Sequence, residues 1–165
     1  MKTIIRTLHY LTCFFILLLF SCENENGSNN GGIMSPEIEW ISGGTSITYT
    51  YSGGVISGYY FIRNFKVLDE SGEVTINIKV KGKDNTRVSK NLSVESGIQY
   101  KVKTKGTRSG SRGASYDSDC FIIEFSSPNC LTKQEVKVSS YVVSAGGINT
   151  YYCPESLSLG EISIE

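Results

Sequence analysis

The chain has 165 residues, with 16 Lys plus Arg against 16 Asp plus Glu, so its formal net charge is zero. Its one histidine is His9, which leaves the remainder without Ser-His-Asp or Cys-His machinery and without the commonest general base and zinc ligand. Some 130 residues follow the polar run that ends near Gly32, about the size of one compact domain.

The N-terminus carries Lys2 and Arg6, then an apolar stretch from Leu11 to Phe20. A bilayer span needs roughly 20 apolar residues, twice what is available. Ten residues behind a positive leader suit the apolar region of a secretory signal. No Ala-x-Ala-like cleavage site follows it. Leu19-Phe20-Ser21-Cys22 instead resembles the lipobox of bacterial lipoproteins. That resemblance implies removal of 1–21 and acylation of Cys22, palmitate among the acyl chains. The protein would then sit in the outer membrane, on the cell surface or the periplasmic face. The alternative is a plain secreted protein. Residues 22–35 form the tether, because Glu23 to Gly32 hold no hydrophobic side chain. Glu23 and Glu25 are similar to the short acidic tract behind the lipidated Cys of surface-exposed Bacteroidota lipoproteins.

Residues 36–165 read as β throughout. `TSITYTYS` sets Ile47, Tyr49 and Tyr51 against Ser46, Thr48 and Thr50. `EVTINIKVKGK` sets Val74, Ile76, Ile78 and Val80 against Thr75, Asn77, Lys79 and Lys81, and `GIQYKVKTK` sets Ile98, Tyr100 and Val102 against Gln99, Lys101 and Lys103. `CFIIEFS`, `QEVKVSSYVV` and `SLSLGEISIE` continue the pattern. Period-two alternation marks strands with one buried face, and Gly-, Asn- and Asp-rich turns separate them. The expectation is an all-β, antiparallel sandwich, with a β-barrel as the runner-up. Within 55–105 the succession of strands and turns resembles immunoglobulin-like and fibronectin-type modules of bacterial surface proteins, a likeness of fold alone.

With Cys13 in the signal and Cys22 acylated, Cys120, Cys130 and Cys153 remain for an oxidising compartment. Three permits at most one bridge, of open pairing, with one thiol left over. A metal site is not expected, since no Cys-x-x-Cys pair exists.

Charge is unevenly spread. Residues 79–112 hold ten Lys or Arg and two acids, Asp84 and Glu95. If their strands share a sheet, Lys79, Lys81, Lys83, Lys101, Lys103 and Lys105 form one face, with Arg108 and Arg112 in the loop beyond. Such a face would attract an anionic glycan, a phosphorylated headgroup or an acidic protein. Solvated lysines that blunt strand edges, or acidic flanks folded back over the patch, are the plainer alternatives. Trp40 and the nine tyrosines that follow residue 21 would serve as a sugar-stacking platform, with one member each of Tyr59-Tyr60 and Tyr151-Tyr152 exposed, though packing within the sheet is the commoner use of tyrosine.

For chemistry, Glu37, Glu39, Asp117, Asp119 and Glu124 are the carboxylates from which a glycosidase-like pair would be drawn. Asp117 and Asp119 flank a Gly/Ser-rich segment without a calcium ligand series, and 106–119 reads as a long, structureless loop. No phosphate-cradling loop or nucleic-acid module is present. The expectation is a non-catalytic binding module without cofactor, for an anionic glycan or a protein partner. A structural or accessory subunit that docks through a sheet edge is the second reading.

Overall fold

A computed structural model describes residues 35–43, 46–82, 86–116 and 118–165. Cys22, Lys83 and Asp117 therefore lie outside the described residues. Among the described residues twelve strands run in chain order: β1 (Ile38–Ile41), β2 (Ile47–Ser52), β3 (Val55–Val67), β4 (Gly72–Lys81), β5 (Arg87–Val94), β6 (Gln99–Ser109), β7 (Arg112–Gly113), β8 (Asp119–Ser127), β9 (Cys130–Ser139), β10 (Tyr141–Ala145), β11 (Ile148–Cys153) and β12 (Ser156–Ile164).

The first sheet has the order β1-β3-β6-β12, with β2 beside β3 on the flank it shares with β1. The second has the order β5-β4-β8-β9, and a small third sheet the order β10-β11-β7. All pairings are antiparallel. The two large sheets pack face to face as a sandwich, and no strand of one pairs with a strand of the other, so the barrel is not formed. With β1 and β2 counted as one interrupted strand, β3–β6 and β4–β8 are the B–E and C–F pairings of an immunoglobulin-like Greek key. β12 is an added strand beyond β6.

The core follows the alternation. Val74, Ile76, Ile78 and Val80 of β4 all point inward and are buried, as do Phe121, Ile123 and Phe125 of β8. Trp40 lies between the sheets, its ring 5.9 Å from Phe65 of its own sheet and 6.2 Å from Phe125 of the facing one, edge-on to both. Edge-on contacts of this kind add to the burial of the rings themselves. In β12 the periodicity slips by one residue, from Leu157 and Leu159 to Ile162 and Ile164. A bulge between Leu159 and Ile162 absorbs the slip and keeps both pairs facing the core.

At one end the chain enters through Ser35 and Pro36. There the Asn129 side chain in the β8–β9 turn donates to Ser35 Oγ (2.9 Å) and the Pro36 carbonyl (2.9 Å), and accepts from the Thr75 N–H (3.2 Å). β1 pairs with the last residues of β3 and β2 with its first, so the Gly53–Gly54 turn lies at the opposite end. At about 3.3 Å per residue, β3 separates the two ends by roughly 40 Å. The third sheet sits at that far end, because β7 directly follows the end of β6.

Four expectations need correction. The segment 106–119 is not a structureless loop: Gly106 to Ser109 complete β6, and Arg112–Gly113 pair with Cys153 and Tyr152. `QEVKVSSYVV` is two strands in two sheets, because at Ser140 the chain leaves β9 and donates its N–H to the Ser118 carbonyl (3.0 Å). Ile98 precedes β6 and stays exposed. Among the cysteines, Cys120 and Cys153 form the bridge, tying β8 to β11. Cys130, with its sulfur 3.1 Å from Thr132 Oγ1, does not stand as the left-over thiol.

Candidate functional site

The lysine-rich segment is divided by the topology. Lys79 and Lys81 belong to β4 in the second sheet, and Lys101, Lys103 and Lys105 to β6 in the first. Their neighbours along each strand, Val80 and Val102, are buried in the shared core, so the two lysine sets project from opposite outer faces. The condition for one cationic face, a shared sheet, is not met.

Acidic side chains from later in the chain then meet most of them. Lys79 contacts Glu124 at 3.1 Å, with Lys133 on the same carboxylate at 3.5 Å. Lys81 pairs with Glu135 at 2.6 Å, and Lys137 with Asp119 at 2.7 Å. On the other face Glu165 pairs with Lys101 and lies 3.9 Å from Lys103, whose ammonium sits 4.5 Å over the Tyr60 ring. The acidic flank has folded over the patch. Burial works to raise the Glu124 carboxyl, but the ammonium groups of Lys79 and Lys133 outweigh it and hold the group below its ordinary value. Hydrogen bonding to Glu135 raises Lys81, and hydrogen bonding to Lys101 lowers Glu165. Among the described residues Lys105, Arg108 and Arg112 make no ion pair.

The carboxylates weighed for catalysis are dispersed. Glu39 projects from the outer side of β1 in the first sheet. Glu124 and Asp119 lie on the second sheet and are committed to lysines. Among the described residues no cluster of three His, Cys, Asp or Glu side chains could hold a metal ion.

A different site assembles at the end remote from Ser35, from β2, β3, the end of β6 and the third sheet. Tyr59 and Arg108 share the inner face of the first sheet, as diagonal neighbours, since Tyr59 pairs with Gly106. Here the third sheet takes the place of the second. Arg108 donates through Nε to the Ile56 carbonyl, and through Nη1 to the Tyr141 hydroxyl (2.6 Å) and the Gly110 carbonyl (3.4 Å). Its guanidinium carbon lies 4.9 Å from the Tyr141 ring centre. Tyr141 in turn lies 5.8 Å from Tyr152, and Tyr49 meets Tyr59 edge-on at 5.7 Å. Burial pushes the Tyr59 hydroxyl up to about 12, against the opposing charge of Arg108. Arg108 is thus a strut that holds β10 onto the first sheet.

Outside this buried frame the surface is aromatic and apolar. Tyr116 (70% exposed) stands edge-on to Tyr151, and Tyr51 (64%), Tyr49, Val55, Val142, Val143 and Ile148 are also exposed. Sequence reasoning named Arg108, Arg112 and the pair Tyr151-Tyr152, but for charge and stacking separately. Tyr51 and Tyr116 belong to the nine tyrosines weighed for stacking but carry no sequence signal that singles them out, since alternation sets Tyr51 on the face of Ile47 and Tyr49 and the sheet that would cover it stops short. Trp40 and Tyr59 belong to the core, and Tyr60 lies half-buried beneath Lys103.

Compared with known proteins, the chain matches no protein family, no curated protein and no solved structure.

Proposed function

We propose that the chain is a lipid-anchored, non-catalytic binding module of the bacterial cell envelope. Cys22 carries the acyl chains, and the end of the sandwich remote from the tether engages a protein partner or an anionic glycan. The observation that carries this reading is polarity. The chain enters the sandwich at Ser35, while exposed Tyr49, Tyr51 and Tyr116, and Arg112, which makes no ion pair among the described residues, gather roughly 40 Å away. Tyrosine and arginine dominate the energetics of recognition surfaces, and a tether at one end directs the other away from the membrane. The former lysine face supports the reading less, since its charges are split and mostly paired.

The test begins with protease shaving of intact cells beside a periplasmic control protein. Removal of the domain with survival of the control places it outside. Protection until the outer membrane is broken excludes adhesion and turns the search to periplasmic partners. Loss of membrane retention in Cys22→Ala checks the anchor. Against a panel of acidic glycans and envelope proteins, Tyr51→Ala with Tyr116→Ala should weaken binding by tenfold or more, at about 1 kcal/mol or more per anchor residue. Binding unchanged by that pair and abolished by Lys79→Glu with Lys101→Glu would refute the assignment. The second reading, an accessory subunit docking through a sheet edge, draws support from the uncharged edge of β10.

A further inference from the structure

We propose that β10 pairs antiparallel with β10 of a second copy of this chain, joining two third sheets into one continuous sheet. β10 is the outer strand of its sheet and pairs only with β11, so its other row of backbone donors and acceptors has no strand partner among the described residues. Its sequence, Tyr141-Val-Val-Ser-Ala145, has no charge, no proline and no bulge, and its register with β11 is unbroken over all five residues. An edge of that kind is a template for another strand.

Three of the other long edges are guarded. β5 turns Lys90 to an inward position, from which Nζ donates to the Ile162 carbonyl of β12 (2.9 Å), so a charge guards the β5 edge and takes up an acceptor of β12. β9 carries Lys133, Glu135 and Lys137, so antiparallel self-pairing about Glu135 would set each residue against its own charge. β2 is uncharged too, but its pairing with β3 is interrupted between Thr50 and Tyr51 by the extra residue Ser57 of β3, whereas the pairing of β10 is unbroken.

Self-pairing about Val143 has none of these costs. It opposes Val143 to Val143, Val142 to Ser144 and the large Tyr141 to the small Ala145. Neither β10 nor β11 bears a charge, and Arg112 lies two strands from the axis. Both faces of the hairpin are exposed, since the adjacent Val142 and Val143 point to opposite sides and each is about half exposed. The strand is also prebuilt. Gly146 and Gly147, both at positive φ, form the tight turn, the Cys120–Cys153 bridge fixes the base, and Arg108 holds Tyr141. Little ordering is therefore lost on pairing. A strand of five residues buries less than the roughly 1,200 Å² of a stable interface, so the association is weak in solution. Co-anchoring on one membrane would strengthen it, a gain that rests on the lipid-anchored reading, whereas the pairing itself does not.

The test uses the full chain carrying Val143→Cys, oxidised mildly and run on a non-reducing gel. Cβ atoms on the axis fall within disulfide reach, so a dimer band is expected at roughly tenfold the yield of Val142→Cys, which the register sets against Ser144 instead. Leu131→Cys, exposed at the opposite end, reports random collision. Equal yields from the three variants, or a cross-link from position 143 into a different protein, overturn the proposal. As a second arm, Val143→Lys places two ammonium groups on the axis and should abolish concentration-dependent dimer in equilibrium sedimentation. A dimer that survives this substitution also overturns it.

Discussion

Replacing both Cys120 and Cys153 with alanine removes the bridge between β8 and β11 without leaving a lone thiol. The bridged residues are 33 apart in sequence. Closing a loop of that length removes about 12.5 cal/mol/K of unfolded-chain entropy, or about 3.7 kcal/mol at 25 °C. With a urea m-value of about 1.5 kcal/mol/M, the midpoint of unfolding should fall by about 2.5 M. The native contacts of the two large sheets do not pass through this bridge, so the double variant should still fold. Its third sheet should loosen first: amide exchange across β10 and β11 should accelerate, while β4 and β8 keep their protection. Urea unfolding with and without the bridge, followed by hydrogen exchange, measures both effects. A midpoint shift under about 0.7 M, near 1 kcal/mol, would refute the argument, because the bridge would then constrain little in the unfolded chain.

Gly106→Ala should destabilise by about 1–3 kcal/mol, since a Cβ there would lie 2.5 Å from Cε2 of Phe61, whereas Gly113→Ala, with nothing within 4 Å, should be close to neutral in thermal unfolding. Asn129→Ala should cost about 1–3 kcal/mol by leaving the Thr75 N–H without its side-chain acceptor, and should speed proteolysis near Ser35, read by limited digestion. Glu124 has a folded-state value below its unfolded one, so its stabilisation is present above the unfolded value and is lost as pH falls through the folded value. Glu124→Gln should flatten the acid limb of the stability profile, at a cost near neutral pH of about 1 kcal/mol or less because Lys79 and Lys133 are half exposed. Unfolding measured from pH 7 down to pH 3 in both proteins checks the sign.

Much of the fold was legible because a half-buried strand writes its two faces into alternate residues. The run from Val74 to Val80 declares both its strand and its inward face, as does Phe121 to Phe125, and in each case burial agrees. Alternation failed where the covering layer ended. Tyr51 obeys the pattern yet is exposed, because the second sheet does not extend beneath it. It failed again at Ser140, where a polar pair inside an apolar run hides a change of sheet.

By itself, the sequence determined the β class and most of the strand faces, which depend on residues close together in the chain. Tertiary structure alone decided which strands became neighbours. Lys79 and Lys101 are equivalent in pattern, but one strand joined Glu124 and Glu135 in the second sheet and the other joined Glu165 in the first. The same long-range pairing brought Cys153 to Cys120 and Tyr141 to Arg108, and left β10 as an open edge. Period-two alternation records which way a side chain points and carries nothing about the partner strand. Partner choice is settled by how the buried faces of distant segments fit together, and the position of every candidate site follows from it.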